Sequence, residues 1–128
     1  MIVLDTCSLV WWTLDAGRLS PRARRACRRA ESTKVVVSSI SIWEIGIKAE
    51  RGRLDLGTSL EDFVVRLKSA GSVEIVSVSD AIWLRNLRLV WDHRDPADRT
   101  IVATAMERRL PIVTPDLDIR RFYKRTIW

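Results

Sequence analysis

Four acidic residues stand against apolar runs, where an ordinary solvated carboxylate is out of place. Asp5 closes Met1-Ile2-Val3-Leu4, and Glu44 interrupts Ile40-Ser41-Ile42-Trp43-Glu44-Ile45-Gly46-Ile47. Asp98 precedes Arg99-Thr100-Ile101-Val102-Ala103, and Asp116 follows Pro111-Ile112-Val113-Thr114-Pro115. Apolar flanks imply partial burial, and a partly buried carboxylate stays ionised only beside a counter-charge, hydrogen-bond donors or a metal ion. Four of them brought together repel one another and call for a cation. Hard oxygen ligands select Mg²⁺ or Mn²⁺, and water acidified by such an ion attacks phosphate esters. The chemistry that this set permits is metal-assisted hydrolysis, with Asp5, Asp98 and Asp116 as candidate ligands and Glu44 as a ligand or an orienter of water.

Taken singly, three of the four have a plainer reading. Asp5 serves as a post-strand turn residue, and Asp116 as a helix N-cap. Asp95 with Pro96 makes a good helix start that leaves Asp98 near the third position, so capping accounts for Asp95 well and for Asp98 less completely. Glu44 caps nothing. It falls four residues after Ile40 and three before Ile47, on or beside the apolar stripe of a helix, with Lys48 one turn later as the structural alternative. Arg99 and Thr114 lie close enough in sequence to hold a phosphate or a carboxylate, although Arg99 reads equally as a surface charge. The case for a site rests on the combination.

Other chemistries find little support. His93 is the only histidine, and no glycine pattern of a nucleophile elbow surrounds any serine. The five glycines are scattered as helix stops and turns, not gathered into a phosphate-cradling loop. Cys7 and Cys27 are too few for a disulfide framework and lack metal-ligand spacing, so reduced thiols are expected.

The chain has 128 residues, enough for one domain with a buried core, and its 47% hydrophobic and 30% charged residues are those of a globular protein. No apolar stretch approaches a membrane span and no targeting segment leads the sequence, which points to a cytoplasmic protein without membrane attachment. The net charge is +6, carried mostly by arginine, whose planar fork suits phosphates. Arg22, Arg24, Arg25, Arg28 and Arg29 crowd one predicted helix that reads equally as a solvated face. An acidic pocket inside a basic protein fits a polyanionic substrate, one sign gathering it and the other holding the metal.

The elements that must position these groups alternate. Strands are predicted over Met1 to Leu4, Val35 to Val37, Val73 to Val78, Ile112 to Thr114 and Thr126 to Trp128. Between them lie helices: one capped by Thr6 or Ser8 and running to Leu14, and one from Ser20-Pro21 to about Glu31. A third opens at Ser39 or Ser41 and is closed by Gly52. Further helices run over Leu60 to Ala70, from Ser79 or Asp80 to Leu89, from Asp95-Pro96 to about Arg109, and from Asp116 to Tyr123. Strands alternating with helices imply an α/β fold with a mostly parallel sheet, whose functional crevice lies beyond the carboxyl ends of the strands, where strand order reverses. Trp43 and Trp83 fall at core spacing. Trp11 and Trp12 are consecutive on one helix and cannot both point inward, which leaves one exposed to a partner.

Read together, Leu4-Asp5-Thr6-Cys7-Ser8-Leu9-Val10-Trp11-Trp12, Ser41-Ile42-Trp43-Glu44-Ile45-Gly46-Ile47-Lys48, His93-Arg94-Asp95-Pro96-Ala97-Asp98-Arg99 and Val113-Thr114-Pro115-Asp116 resemble PIN-domain proteins. Within that family they are most similar to the VapC toxins of bacterial toxin–antitoxin pairs. The resemblance spans essentially residues 1–128 as one PIN-like domain and implies a three-layer α/β/α fold. It also implies a Mg²⁺- or Mn²⁺-dependent endoribonuclease with Asp5, Glu44, Asp98 and Asp116 as the acidic quartet and Asp95 as an accessory. A homodimer and a small cognate antitoxin that blocks the site are implied as partners, beside the RNA substrate. Ala97 stands where a bulky aromatic is common and Cys7 where histidine is common, but neither change removes a carboxylate. The rival readings are a non-catalytic RNA-binding or scaffold module, and a DNA-directed nuclease with the same metal site.

Overall fold

The computed structural model describes residues 1–128. Its five strands are β1 (Ile2–Leu4), β2 (Val35–Ser38), β3 (Val73–Val76), β4 (Ile112–Val113) and β5 (Thr126–Ile127). Seven helices join them: α1 (Thr6–Leu14), α2 (Pro21–Ala30), α3 (Ser39–Glu50), α4 (Leu60–Ser69), α5 (Asp80–Arg88), α6 (Pro96–Arg108) and α7 (Leu117–Phe122), with a short 3₁₀ turn at Ala16–Arg18. The strands form one sheet in the order β3-β2-β1-β4-β5, and every pairing is parallel.

Both faces of this sheet are covered, which explains why its central strands β1, β2 and β4 are buried, almost wholly apolar runs; the edge strand β3 keeps Glu74, paired with Arg108. Alternate side chains enter opposite cores. Ile2, Leu4, Val35, Val37 and Val113 join one cluster with residues of α1 to α4, including Leu9, Ile45, Phe63 and Leu67. Val3, Val36 and Ile112 join the other, beneath Ile101, Val102 and Ala105 of α6 and Ile119 of α7. The result is three layers.

The sheet grows outward from β1 in both directions, toward β2 on one side and β4 on the other. Strand order therefore reverses between β1 and β4, and the crevice beyond their carboxyl ends is where an open parallel sheet receives ligands.

Several local expectations change. Neither Thr6 nor Ser8 caps α1; Asp5 does, its carboxylate accepting from the Ser8 amide. Ser38, still in β2, caps α3, so that strand passes into helix without a loop. The third strand stops at Val76 rather than Val78. Trp43 is 55% and Trp83 43% exposed, so neither is core. Helix α3 turns Ser41 and Ile45 inward, and Trp43, two residues from each, points to the opposite side. Helix α5 buries Ile82 and Asn86 instead of Trp83.

The consecutive tryptophans of α1 are both partly buried, contrary to the expectation that one faces a partner. Helix α1 lies between two apolar flanks. Trp11 packs on Trp128 with ring centroids 5.8 Å apart, while Trp12 shares an apolar cavity with Leu56, Phe63 and Leu67. Side chains about 100° apart on the helix thus both find cover.

Candidate active site

Beyond the carboxyl ends of β1 and β4 lies a cleft of about 270 Å³ whose walls include Asp5, Glu44, Asp95, Asp98 and Asp116, together with Cys7 and Lys48. The sequence-predicted acids thus come from four places in the chain to one concavity. Asp5 follows β1 directly, Asp116 follows β4 as the N-cap of α7, Asp95 caps α6 with Asp98 in its first turn, and Glu44 projects from α3.

Asp5 is the most deeply held, at 4% exposure. One carboxylate oxygen accepts from the Ser8 amide at 2.7 Å and the other from the Thr114 hydroxyl at 2.5 Å. Burial pushes its pKa up against these bonds, and the charge of Asp116 adds to the rise. Thr114 is itself fully buried, and its hydroxyl oxygen also accepts from the Asp116 amide at 3.0 Å. One threonine therefore joins the acid after β1 to the acid after β4.

Asp98 is set by a second group of contacts. Its Oδ2 lies 2.8 Å from His93 Nε2, and its amide donates to Asp95 Oδ1 at 3.0 Å. Burial raises the Asp98 pKa to about 6; the hydrogen bond from His93 opposes this, while Asp95 and Asp116 reinforce it. Burial pulls His93 down, but its hydrogen bond to Asp98 and the charges of Asp98, Asp116 and Asp118 outweigh that and leave its pKa raised. The imidazole is further fixed by stacking on Trp91, which in turn stacks on Phe122, with 4.6 Å between centroids in each pair.

Glu44 is half-buried at the cleft wall and faces Lys48 across 4.0 Å, a loose pair that leaves the carboxylate available. Its helix is pinned to α1 one turn earlier, where the Thr6 hydroxyl donates to the Ser41 hydroxyl at 3.0 Å in the core. Cys7 also lines the cleft, but burial and then the Asp5 charge push its thiol to about 11, so it is no nucleophile at neutral pH.

Arg99 is placed otherwise than at the cleft wall. Its guanidinium donates to the backbone carbonyls of Asn86, Leu89, Trp91 and His93, at 2.6 Å for Asn86 and 2.7 Å for Trp91. It satisfies the orphan carbonyls at the end of α5 and ties down the segment that carries His93. His93 itself is the site neighbour that the sequence does not mark, because a lone histidine without ligand spacing carries no sign of its partner Asp98.

No three of these carboxyl, imidazole or thiol groups close on one another as a finished ligand set. The donor chemistry nevertheless suits a hard cation. All the acids offer oxygen, Asp98 and Asp116 each have only one oxygen engaged by a protein donor, and ions such as Mg²⁺ keep several waters between themselves and the protein. Burial raises Asp5 and Asp98 and the neighbouring carboxylates add to it, and a bound cation would offset both costs.

The family model for the PIN domain matches residues 2–125. The chain belongs to the PIN-domain family. Ribonuclease VapC22 of Mycobacterium tuberculosis is 31% identical over 120 residues, covering 93% of this chain and 89% of that protein. Among solved structures, a toxin–antitoxin complex from Klebsiella pneumoniae superposes with a TM-score of 0.67 at 18% identity, covering 100% of this chain and 97% of the other. FitAcB from Neisseria gonorrhoeae gives 0.62 at 20% identity, covering 98% and 95%. These structural likenesses show the fold that the sheet order describes. No helix of this PIN domain is long and apolar enough to cross a membrane.

Proposed function

We propose that this PIN domain is a metal-dependent endoribonuclease and the toxin of a toxin–antitoxin pair. The observation that carries the reading is the gathering of Asp5, Glu44, Asp98 and Asp116 around one cleft at the strand-order reversal. Kinship with a VapC ribonuclease supports the substrate class, and likeness to a toxin–antitoxin complex supports the biology. In this reading Asp5, Asp98 and Asp116 hold Mg²⁺ or Mn²⁺, which supplies a more acidic water and charge stabilisation for the leaving oxygen. Thr114 and the Ser8 amide keep Asp5 oriented, and His93 does the same for Asp98. Glu44 accepts a hydrogen bond from the attacking water and aligns it on the phosphorus. Lys48, beside Glu44, offsets the charge of the arriving phosphodiester.

The partners in this reading are single-stranded RNA as substrate, a second copy of the chain in a homodimer, and a small antitoxin that fills the acidic cleft with a cationic side chain. A scaffold would use the acids only as caps, and Glu44 caps nothing. The test is cleavage of labelled RNA, with single-stranded DNA as the parallel substrate, in Mg²⁺, Mn²⁺ and EDTA. RNA cleavage that needs the metal and falls by more than tenfold in Glu44→Gln, with the fold intact, is the expected result. Metal-independent turnover, or full turnover by Glu44→Gln, overturns the reading.

A further inference from the structure

Beside the acidic cleft, sharing its Glu44–Lys48 wall and Asp95, runs a second groove of about 350 Å³. Its other walls are Trp43 and Ile47 on the outer face of α3, Arg51 and Arg53 just past that helix, and Pro96 and Ala97 at the start of α6. Three features of this groove remain without a structural purpose. Trp43 is more than half exposed in the middle of a helix whose core-facing residues are Ser41 and Ile45. Arg51 and Arg53 are exposed and make no ion pair. Arg51 and Arg53 line only this side of Glu44, whereas the cleft on the other side is lined mostly with acids and shares Lys48 as its one cation.

We propose that this groove is a nucleotide subsite: Trp43 stacks on the base next to the scissile phosphodiester, and Arg51 and Arg53 hold the backbone phosphate of that nucleotide. The inference rests on the nuclease reading above and names how the substrate is seated. An aromatic face with free cations beside it is the arrangement by which single strands are gripped without base pairing. A flat indole accepts any base, whereas a duplex keeps its bases stacked on one another and unavailable. Continuity with the acidic cleft places the next phosphate of a strand stacked on Trp43 over Glu44 and the neighbouring carboxylates. The subsite therefore selects single strands over duplexes and sets which phosphate lies over the carboxylates.

The test separates seating from chemistry. Affinity for a short fluorescein-labelled single-stranded RNA is measured in EDTA by anisotropy, and cleavage is measured separately in Mn²⁺, for wild type, Trp43→Ala, Trp43→Phe and Arg51→Ala/Arg53→Ala. Trp43→Ala is expected to weaken binding by roughly tenfold, with Trp43→Phe restoring most of it. The same loss is expected in KM, with kcat little changed. The double arginine variant is expected to lower the salt dependence of binding by about two phosphate contacts. Unaltered RNA affinity in Trp43→Ala, with wild-type cleavage intact, overturns the subsite while the nuclease reading stands. A fall in affinity accompanied by a change of sedimenting mass assigns Trp43 to a contact between copies and also overturns it. Wild-type protein that neither binds nor cleaves RNA overturns both.

Discussion

The hydroxyl of Thr114 donates to Asp5 Oδ2 at 2.5 Å, linking the residue after β4 to the residue after β1 inside the core. The bond lies where strand order reverses, so the site's deepest carboxylate is held by a neighbouring strand and not only by its own helix cap.

Thr114→Val keeps the shape of the side chain and removes this donor. Asp5 then has an unmatched oxygen in a buried position, and the Asp116 amide loses its acceptor. We expect a destabilisation of about 1–3 kcal/mol in urea at pH 7, with cleavage falling alongside. A variant as stable and as active as wild type would show that the bond contributes nothing.

The raised pKa of Asp98 makes the metal-free protein sensitive to pH. Its folded value of about 6 exceeds the ordinary aspartate value of 3.8, so between these two the folded state binds more protons than the unfolded one. Stability is then fully present below the lower value and lost as pH rises through the upper. His93, also raised, works in the same direction above its ordinary range. In EDTA, wild type should lose roughly 1–3 kcal/mol relative to Asp98→Asn between about pH 4 and pH 6. Parallel pH profiles for the two proteins would contradict this account of Asp98.

Arg99 holds the segment that presents His93 to Asp98. Arg99→Ala leaves the carbonyls of Leu89, Trp91 and His93 without their donor and the Asn86 carbonyl with only the Leu89 amide, and a loss of about 2–3 kcal/mol is expected. Arg99→Lys keeps the charge but cannot fork and should recover only part. Amide exchange should quicken most between Leu89 and His93. Exchange that is unchanged there, with a loss of RNA binding instead, would assign Arg99 to the substrate.

The strands were legible because a sheet covered on both faces needs continuous apolar runs, and Val35 to Val37 or Ile112 to Thr114 can hardly be read otherwise. The acids were legible because each interrupts or ends such a run. What failed was the assumption that large apolar side chains go inside. On α3 the small Ser41 occupies the buried face because it meets Thr6 of α1, which turns Trp43 outward. Trp11 and Trp12 failed in the opposite sense, since the fold supplies Trp128 on one side of α1 and the Phe63 cavity on the other. Neither contact is visible in local spacing. Asp5 as a cap, with Thr6 and Ser8 as rivals one and three residues on, depended on where β1 ends. The partnership of His93 with Asp98 follows from a loop fastened by Arg99, which no sequence period encodes.

The most direct test of the central claim, that these carboxylates act as one metal-dependent site, is the rate of RNA cleavage by Asp98→Asn as Mn²⁺ is titrated. Asparagine keeps the shape and removes a negative ligand beside Asp95 and Asp116. The expected result is a folded protein whose cleavage falls by at least about a hundredfold and whose half-saturating Mn²⁺ concentration rises. Wild-type cleavage at wild-type Mn²⁺ concentrations would contradict it.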